Sequence, residues 1–140
     1  MIKYNKLPEN IEVLLKGAVN YLQSQTDVIF AYLFGSLAKE RHLPLSDVDI
    51  AVYLGEDVEI LGTKLEILGE LIDVLQTDEI DLVVLNTAPL PLKMEILQNR
   101  KILVDNAPFI RHAYESLTMR EYFDFSFIEL SILKRRYVRG

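Results

Sequence analysis

Two pairs of residues in the first half of the chain have types and spacing that suit chemistry on a phosphate group. Gly35 and Ser36 are followed, after a ten-residue gap, by Asp47 and Asp49. Glycine lets the backbone approach a bulky anion because it has no β-carbon, and Ser36 can begin a short helix whose free N–H groups face that anion. Two neighbouring carboxylates repel each other unless a cation lies between them, and Mg²⁺ prefers such oxygen ligands. The pattern predicts a site for a triphosphate and divalent metal ions.

Two apolar segments must position these residues. Residues 28–34 and 48–54 are rich in β-branched and aromatic side chains, which is typical of buried strands. Gly35 ends the first segment. Because side chains alternate along a strand, Asp47 and Asp49 are expected on one face of the second.

A third carboxylate is available on the next apolar segment. Residues 79–85 predict another strand, with Asp81 near its start and with Asp78 and Glu79 as close competitors. If this strand lies beside 48–54, Asp81 can stand next to Asp49. Three carboxylates are the minimum for two-metal phosphoryl or nucleotidyl transfer, in which one metal activates the attacking hydroxyl and the other binds the triphosphate.

Gly-Ser, the ten-residue gap and Asp-x-Asp resemble the motif of the DNA polymerase β-like nucleotidyltransferase superfamily. The small size resembles the minimal nucleotidyltransferase (MNT) group, which is usually encoded beside a HEPN-domain protein. The resemblance implies an antitoxin that transfers AMP from ATP to a tyrosine of a HEPN RNase toxin. It also implies that this toxin is the partner of the chain in a hetero-oligomeric complex. It also implies Mg²⁺, as two ions. Gly35 and Ser36 would hold the triphosphate, Asp47, Asp49 and Asp81 the metals, and Asp81 would also help activate the nucleophile.

One departure from the family motif concerns the loop after the Gly-Ser turn. Many members have a small residue followed by Ala-Arg-Gly, whereas this chain continues Leu-Ala-Lys39-Glu40-Arg41. Glu40 replaces the usual glycine, so the loop can differ in shape. Lys39 and Arg41 are candidate phosphate-binding cations. Lys39 would bind through its compact ammonium charge, and Arg41 through the forked N–H donors of its guanidinium group. The alternative is that both are solvated loop charges.

Bulk composition narrows the class of protein. The 140 residues suit one domain, and no apolar stretch approaches the roughly 20 residues of a membrane-spanning helix. Cysteine is absent, which excludes disulfides and thiolate chemistry, and we expect a cytoplasmic protein. The net charge of −6 argues against direct binding of nucleic acid. Residues 1–133 carry eleven bases and all twenty-one acids, a charge of −10, so a protein partner with complementary patches is favoured.

The remaining periodicity predicts an α/β (α+β) fold of one domain, 1–140, with a core at about 8–105. We expect a small mixed sheet with helices packed mainly on one face. The predicted elements, besides the three strands above, are helices at 8–25, 58–76 and 89–98 and a short strand at 101–105. Within 58–76 an apolar seam is expected, formed by Leu61, Leu65, Leu68, Ile72 and Leu75, and a wider apolar face by Ile60, Ile67, Leu71 and Val74.

A C-terminal extension, about 108–138, is predicted to be helical from Pro108 onward. Residues 109–140 hold seven of the thirteen aromatic residues, and the last seven residues hold four of the fifteen bases. The extension either covers an open face of the core or docks a partner, since aromatic residues and arginine are enriched at buried interface centres.

Two other functions are compatible with the same residues. One is a small-molecule nucleotidyltransferase that resembles those modifying aminoglycosides, although 140 residues leave no room for a separate substrate domain. The other is an antitoxin that acts by binding alone. The intact carboxylate set argues against it, because buried acids without a cation are costly.

Overall fold

The computed structural model describes residues 7–38 and 47–138, with side chains as far as Arg136. The helices in these residues are α1 (Ile11–Ser24), α2 (Gly35–Ala38), α3 (Ile60–Leu75), α4 (Leu90–Asn99) and α5 (Pro108–Val138). The strands are β1 (Val28–Phe34), β2 (Val48–Leu54), β3 (Ile80–Val84) and β4 (Lys101–Asp105). The predicted strands β1, β2 and β4 have the expected bounds, and the longer helices differ from their predicted ends by a few residues at most.

The four strands form one mixed sheet in the order β3-β2-β1-β4. β1 pairs antiparallel with both β2 and β4, while β2 pairs parallel with β3. The C-terminal end of β1 therefore lies beside the N-terminal ends of the other three strands. We call this row of strand ends the acidic edge, because Asp49 and Asp81 lie on it; it runs across the strands and is not an edge strand.

Helices cover both faces of the sheet. α1 and α3 pack over the larger apolar cluster, which includes Leu22, Ile50 and Leu71. On the opposite face, α4 and the first turns of α5 cover a smaller cluster that includes Phe30 and Ile96. The expectation of helices mainly on one face therefore needs correction, since two of the longer helices lie on each side.

The seam expected on α3 is also corrected by the structure. Ile67, Leu71 and Leu75 are the buried residues of this helix, whereas Leu61 and Leu65 are 65% and 59% exposed. Leu75 of the predicted seam is thus buried as expected, but the rest of the side that faces the sheet comes from Ile67 and Leu71 of the wider set.

The start of α5 is fixed at the edge of the sheet opposite to the acidic edge. The Asn106 side chain donates a hydrogen bond to the carbonyl oxygen of Val28 (3.0 Å), and its backbone N–H donates to that of Ile29 (3.0 Å). The helix then begins at Pro108, as predicted, and its buried polar residues Arg111, Glu115 and Thr118 lie against the sheet. None of the helices in the described residues is long and apolar enough to span a bilayer.

Candidate active site

Register in the sheet brings the candidate residues together along the acidic edge. Phe34, the last residue of β1, pairs with Asp49 of β2. Asp49 in turn pairs with Asp81 of β3. The conditional prediction that β3 neighbours β2 and places Asp81 beside Asp49 is therefore met by the backbone.

The contact between Gly35 and Asp49 is the tightest feature of this edge. Gly35 has φ +71°, in the left-handed region that favours glycine. A β-carbon placed on Gly35 would overlap the Asp49 Oδ2 atom and would lie 3.0 Å from its Cγ. Only a residue without a side chain fits here, so the turn after β1 is held directly against a carboxylate.

The turn continues into the four-residue helix α2, which is fixed by its apolar side. Leu37 is 6% exposed and belongs to the larger apolar cluster. Ser36 precedes it and is half-buried. The burial of Leu37 therefore anchors α2 to the core just after the Gly-Ser turn. Lys39 and Arg41, the candidate phosphate-binding cations, lie outside the described residues, as does Glu40.

Asp47 and Asp49 are both half-buried, and Asp81 is exposed. Alternation along β2 and β3 places Asp49 and Asp81 on the face that carries Ala51 and Val83, beneath α4 and α5. Register also separates Asp81 from its competitors, because it is Asp81 rather than Asp78 or Glu79 that lies level with Asp49.

The carboxylates do not form a complete metal-ligand set in this structure. Within residues 7–38 and 47–138, no three His, Asp or Glu side chains come close enough to share one ion. The donor set nevertheless fits Mg²⁺ in its chemistry: Asp47 and Asp49 supply hard oxygen ligands two residues apart, beside a turn that admits a bulky anion. Mg²⁺ is usually held by one or two carboxylates together with substrate phosphates.

Sequence reasoning missed a cation that the register brings to the same edge. Lys101, the first residue of β4, pairs with Leu33 near the end of β1. Its side chain lines a groove of about 390 Å³ with Lys16, Leu33 and Leu37, on the sheet face covered by α1. The sequence does show a lysine at the start of a predicted strand. Local sequence does not show that this strand lies beside β1.

A buried polar network joins α5 to the sheet behind the acidic edge. The Tyr32 hydroxyl donates a hydrogen bond to Glu115 Oε2 at 2.6 Å. Glu115 is also bound by Arg100 (2.8 Å) and by Arg111 (3.0 Å), and Arg111 in turn binds Asp105 at 2.9 Å. The network therefore connects β1, β4 and α5 through pairs of opposite charge, while the second carboxylate oxygen of Asp105, Oδ1, is buried without a hydrogen bond in the described residues.

The pKa values of the two central groups in this network reflect their partners. Burial, followed by the hydrogen bond to Glu115, raises the pKa of Tyr32 far above its usual value. Burial alone would raise the pKa of Glu115, but the Tyr32 hydrogen bond and the charges of Arg100 and Arg111 outweigh it and lower that pKa. Tyr32 therefore remains a neutral donor, and Glu115 an anion.

Aromatic rings fill the sheet face behind the carboxylates. Phe30 stacks on Tyr53 with ring centroids 4.8 Å apart, and Tyr114 of α5 packs against both at 5.4 and 5.2 Å. Burial raises the pKa of Tyr114 to about 12. The Tyr114 hydroxyl makes no hydrogen bond of acceptable geometry within the described residues, although Thr118 is near enough to influence its pKa. These ring contacts pack the first turns of α5 against the sheet.

Comparison with known proteins identifies the class to which this fold and site belong. Residues 16–108 match the family model described as Polymerase beta, Nucleotidyltransferase. That stretch exceeds half of the 140 residues, so the chain belongs to this nucleotidyltransferase family.

A curated relative comes from Methanocaldococcus jannaschii and is named, provisionally, as a protein adenylyltransferase. The two chains are 36% identical over 84 residues, which cover 59% of this chain and 62% of the relative. The match thus spans less than two thirds of the relative's length.

Solved structures share the fold at low sequence identity. One similar chain belongs to a toxin–antitoxin complex with AMP-PNP; it has a TM-score of 0.70 and 21% identity, and the alignment covers 86% of this chain and 96% of that one. Another belongs to a complex of a tri-AMPylated Shewanella oneidensis HEPN toxin with an MNT antitoxin. Its TM-score is 0.66 and its identity 21%, with 89% and 97% of the two chains covered. These likenesses establish the common fold.

Proposed function

We propose that this chain is an antitoxin nucleotidyltransferase that transfers AMP from ATP to a tyrosine hydroxyl of a cognate HEPN toxin. The observation that carries the proposal is the contact of Gly35 with Asp49, which is itself in register with Asp81. A turn restricted to glycine stands beside one carboxylate, and a second lies on the next strand. Membership of the nucleotidyltransferase family supports the reaction class.

The protein acceptor is supported by what the similar proteins are said to do. The archaeal relative is named as a protein adenylyltransferase, and one structural neighbour contains an AMPylated HEPN toxin. The acidic body of this chain, with its basic C-terminal residues, also suits a protein partner.

In the proposed reaction, Gly35 and Ser36 hold the triphosphate so that the α-phosphorus faces Asp81. The tyrosine oxygen attacks that phosphorus and forms a new O–P bond, while the bond from the phosphorus to the bridging oxygen breaks. Pyrophosphate leaves with the bridging oxygen. Asp81 orients the tyrosine hydroxyl and accepts its proton.

Two Mg²⁺ ions, distributed over Asp47, Asp49 and Asp81 together with the phosphates, would supply positive charge that favours the ionised nucleophile and the leaving pyrophosphate. The half-buried positions of Asp47 and Asp49 suit this role, because carboxylates partly removed from water bind a cation more strongly than exposed ones.

The test uses the purified chain, Mg²⁺, ATP labelled on the α-phosphate, and the protein encoded by the adjacent gene. Label on that protein, lost with Asp49→Asn, is the expected result, and mass spectrometry then locates the acceptor tyrosine. Label on a free sugar or antibiotic without a protein acceptor would identify a small-molecule enzyme instead. A tight complex without any label would identify an antitoxin that acts by binding alone.

A further inference from the structure

The direction of α5 places its second half beyond the acidic edge. Arg111 binds Asp105 at the end of β4, and one turn later Glu115 binds Arg100, which immediately precedes the start of β4. The helix therefore runs antiparallel to β4, from the opposite edge of the sheet towards the acidic edge. Thr118 is its last fully buried residue.

We call residues 119–136 the arm. At a rise of 1.5 Å per residue, it extends roughly 25 Å past the last buried position. One side of the arm carries large apolar side chains spaced three or four residues apart, which places them in one stripe along the helix. These residues, with their exposed fractions, are Met119 (40%), Phe123 (64%), Phe127 (72%), Leu130 (54%) and Leu133 (42%).

A second apolar stripe runs along the opposite side of the arm. It is formed by Phe125, Ile128 and Ile132, which are 50%, 58% and 53% exposed. Polar side chains, including Asp124 on one side and Glu129 on the other, separate the two stripes. A helix that is apolar on opposite sides is normally buried on both.

The exposed apolar area of the arm is large enough for a specific interface only if both stripes are covered. Large apolar side chains bury roughly 150–250 Å² each when fully enclosed. With the exposed fractions above, the first stripe offers on the order of 500 Å² and both together on the order of 800 Å², which is the usual contribution of one partner. The occupant must therefore surround the arm.

The first stripe is continuous with a small groove on the body of the molecule. Met119 lines this groove of about 220 Å³ together with Met94 and Leu97 of α4. Methionine adapts to irregular apolar surfaces. A partner on the arm would thus also contact α4, which covers the same sheet face as Asp49 and Asp81.

Charge at the tip of the arm indicates the chemistry of the occupant. Lys134, Arg135 and Arg136 are exposed, and no acidic residue follows Glu129. An acidic patch on the partner would complement this tip. A second copy of the chain is a poorer match, because pairing one arm with another would cover a single stripe of each and leave the other stripe in water.

We infer that the arm inserts into an apolar cleft of the acceptor protein, with acidic residues at the end of the cleft that faces Lys134–Arg136. This inference rests on the proposed function, because it assigns the arm to the protein that receives AMP. The docked acceptor lies beyond the acidic edge, where its tyrosine can reach Asp81. The arm thereby sets the specificity for the acceptor without touching the reacting atoms.

The test is a double substitution, Phe123→Ser with Phe127→Ser, compared with Phe109→Ser as a matched control. Phe109 is 88% exposed and lies at the other end of α5, so it shares the chemistry of the substitution but not the location. The double variant should keep the wild-type melting temperature. Its binding to the purified product of the adjacent gene should weaken at least tenfold, and the KM for that protein should rise accordingly, with kcat at saturation within twofold. The control should match wild type in each measurement.

The failure of this inference can be distinguished from that of the proposed function by including Asp49→Asn. If the double variant binds and modifies the neighbour like wild type, the arm proposal is wrong and AMP transfer stands. A different outcome would be that wild type and Asp49→Asn both bind the neighbour, that the double variant does not bind it, and that no variant transfers AMP. In that case the docking inference is supported and the proposed reaction is wrong. Light scattering of the chain alone should give a monomer. A dimer that the double variant dissociates would show that a second copy covers the arm.

Discussion

Gly35 lies so close to Asp49 that a β-carbon on Gly35 would overlap the carboxylate. The two residues come from adjacent antiparallel strands, one after the end of β1 and the other at the start of β2. The close approach couples the shape of the phosphate-facing turn to the position of an acidic side chain. A change at either residue should therefore affect both.

Gly35→Ala should reduce AMP transfer by at least a hundredfold, because the new methyl group displaces Asp49 and alanine does not favour φ +71°. The left-handed conformation alone should lower the free energy of unfolding by about 1–2 kcal/mol. Gly69→Ala is the matched control. Gly69 is an exposed residue inside α3 with nothing within 4 Å of its would-be β-carbon, so alanine should stabilise the fold by about 0.5–1 kcal/mol and leave transfer unchanged. Equal activity of both variants would contradict the role of the Gly35–Asp49 contact.

Asp81→Asn should lower kcat for AMP transfer by at least a hundredfold, because in the proposed reaction Asp81 accepts the proton of the attacking hydroxyl. The melting temperature should change little, because Asp81 is exposed. Asp78→Asn, on an exposed neighbour that is not level with Asp49, should retain wild-type kcat. If Asp78→Asn loses activity and Asp81→Asn retains it, the third carboxylate of the site is Asp78 rather than Asp81.

Removal of divalent metal should abolish transfer. Excess chelator is expected to reduce label incorporation to background, and added Mg²⁺ should restore it, because Asp47 and Asp49 supply oxygen ligands suited to this ion. Circular dichroism should remain unchanged on chelation, since the apolar clusters on the two sheet faces hold the fold together. Full activity in chelator would contradict the proposed metal dependence.

Glu115→Gln should destabilise the fold and change its dependence on pH. The pKa of Glu115 is lower in the folded protein than in the unfolded chain, so its ionised form stabilises the fold above about pH 4.3, and this contribution is lost as pH falls through the folded pKa. At pH 7 the substitution should cost on the order of 3 kcal/mol, because it leaves the buried charge of Arg111 poorly compensated.

Denaturant unfolding measured from pH 7 to pH 3 checks this prediction. The wild type should lose stability below about pH 4.3 by more than the Glu115→Gln variant does. Glu121→Gln, an exposed carboxylate later on α5, should behave like wild type. Parallel pH curves for wild type and Glu115→Gln would show that the network does not stabilise the ionised form.

Much of the segment from β1 to β3, which carries the candidate site, could be predicted from the sequence because its sequence signals are local. Apolar runs defined β1 and β2, and the polar residues at their ends defined the Gly-Ser turn and Asp49. The pairing of Asp49 with Asp81 could be predicted only on the assumption that their two strands are neighbours, since the sequence does not show which strands pair.

The features that were missed depend on contacts between distant parts of the chain. Tyr32 and Glu115 are separated by 83 positions, and neither residue type indicates a buried partner in advance. Similarly, Lys101 reached the acidic edge only because β4 pairs with β1 rather than with β3. Periodicity shows that a helix has an apolar side, but it does not show which sheet face that side will cover. The expectation of helices mainly on one face was wrong for this reason.

The order of the strands along the chain has a consequence for biosynthesis. β1, β2 and β3, which bring Gly35, Asp49 and Asp81 together, are consecutive in the chain, whereas the arm is the last part of the described chain to leave the ribosome. Because the ribosome releases the chain from its N-terminus, the residues of the acidic edge emerge before the arm does. Premature termination just after Thr118, the last buried residue of α5, should therefore leave the folded core and its acidic edge in place and remove only the segment proposed to dock the acceptor.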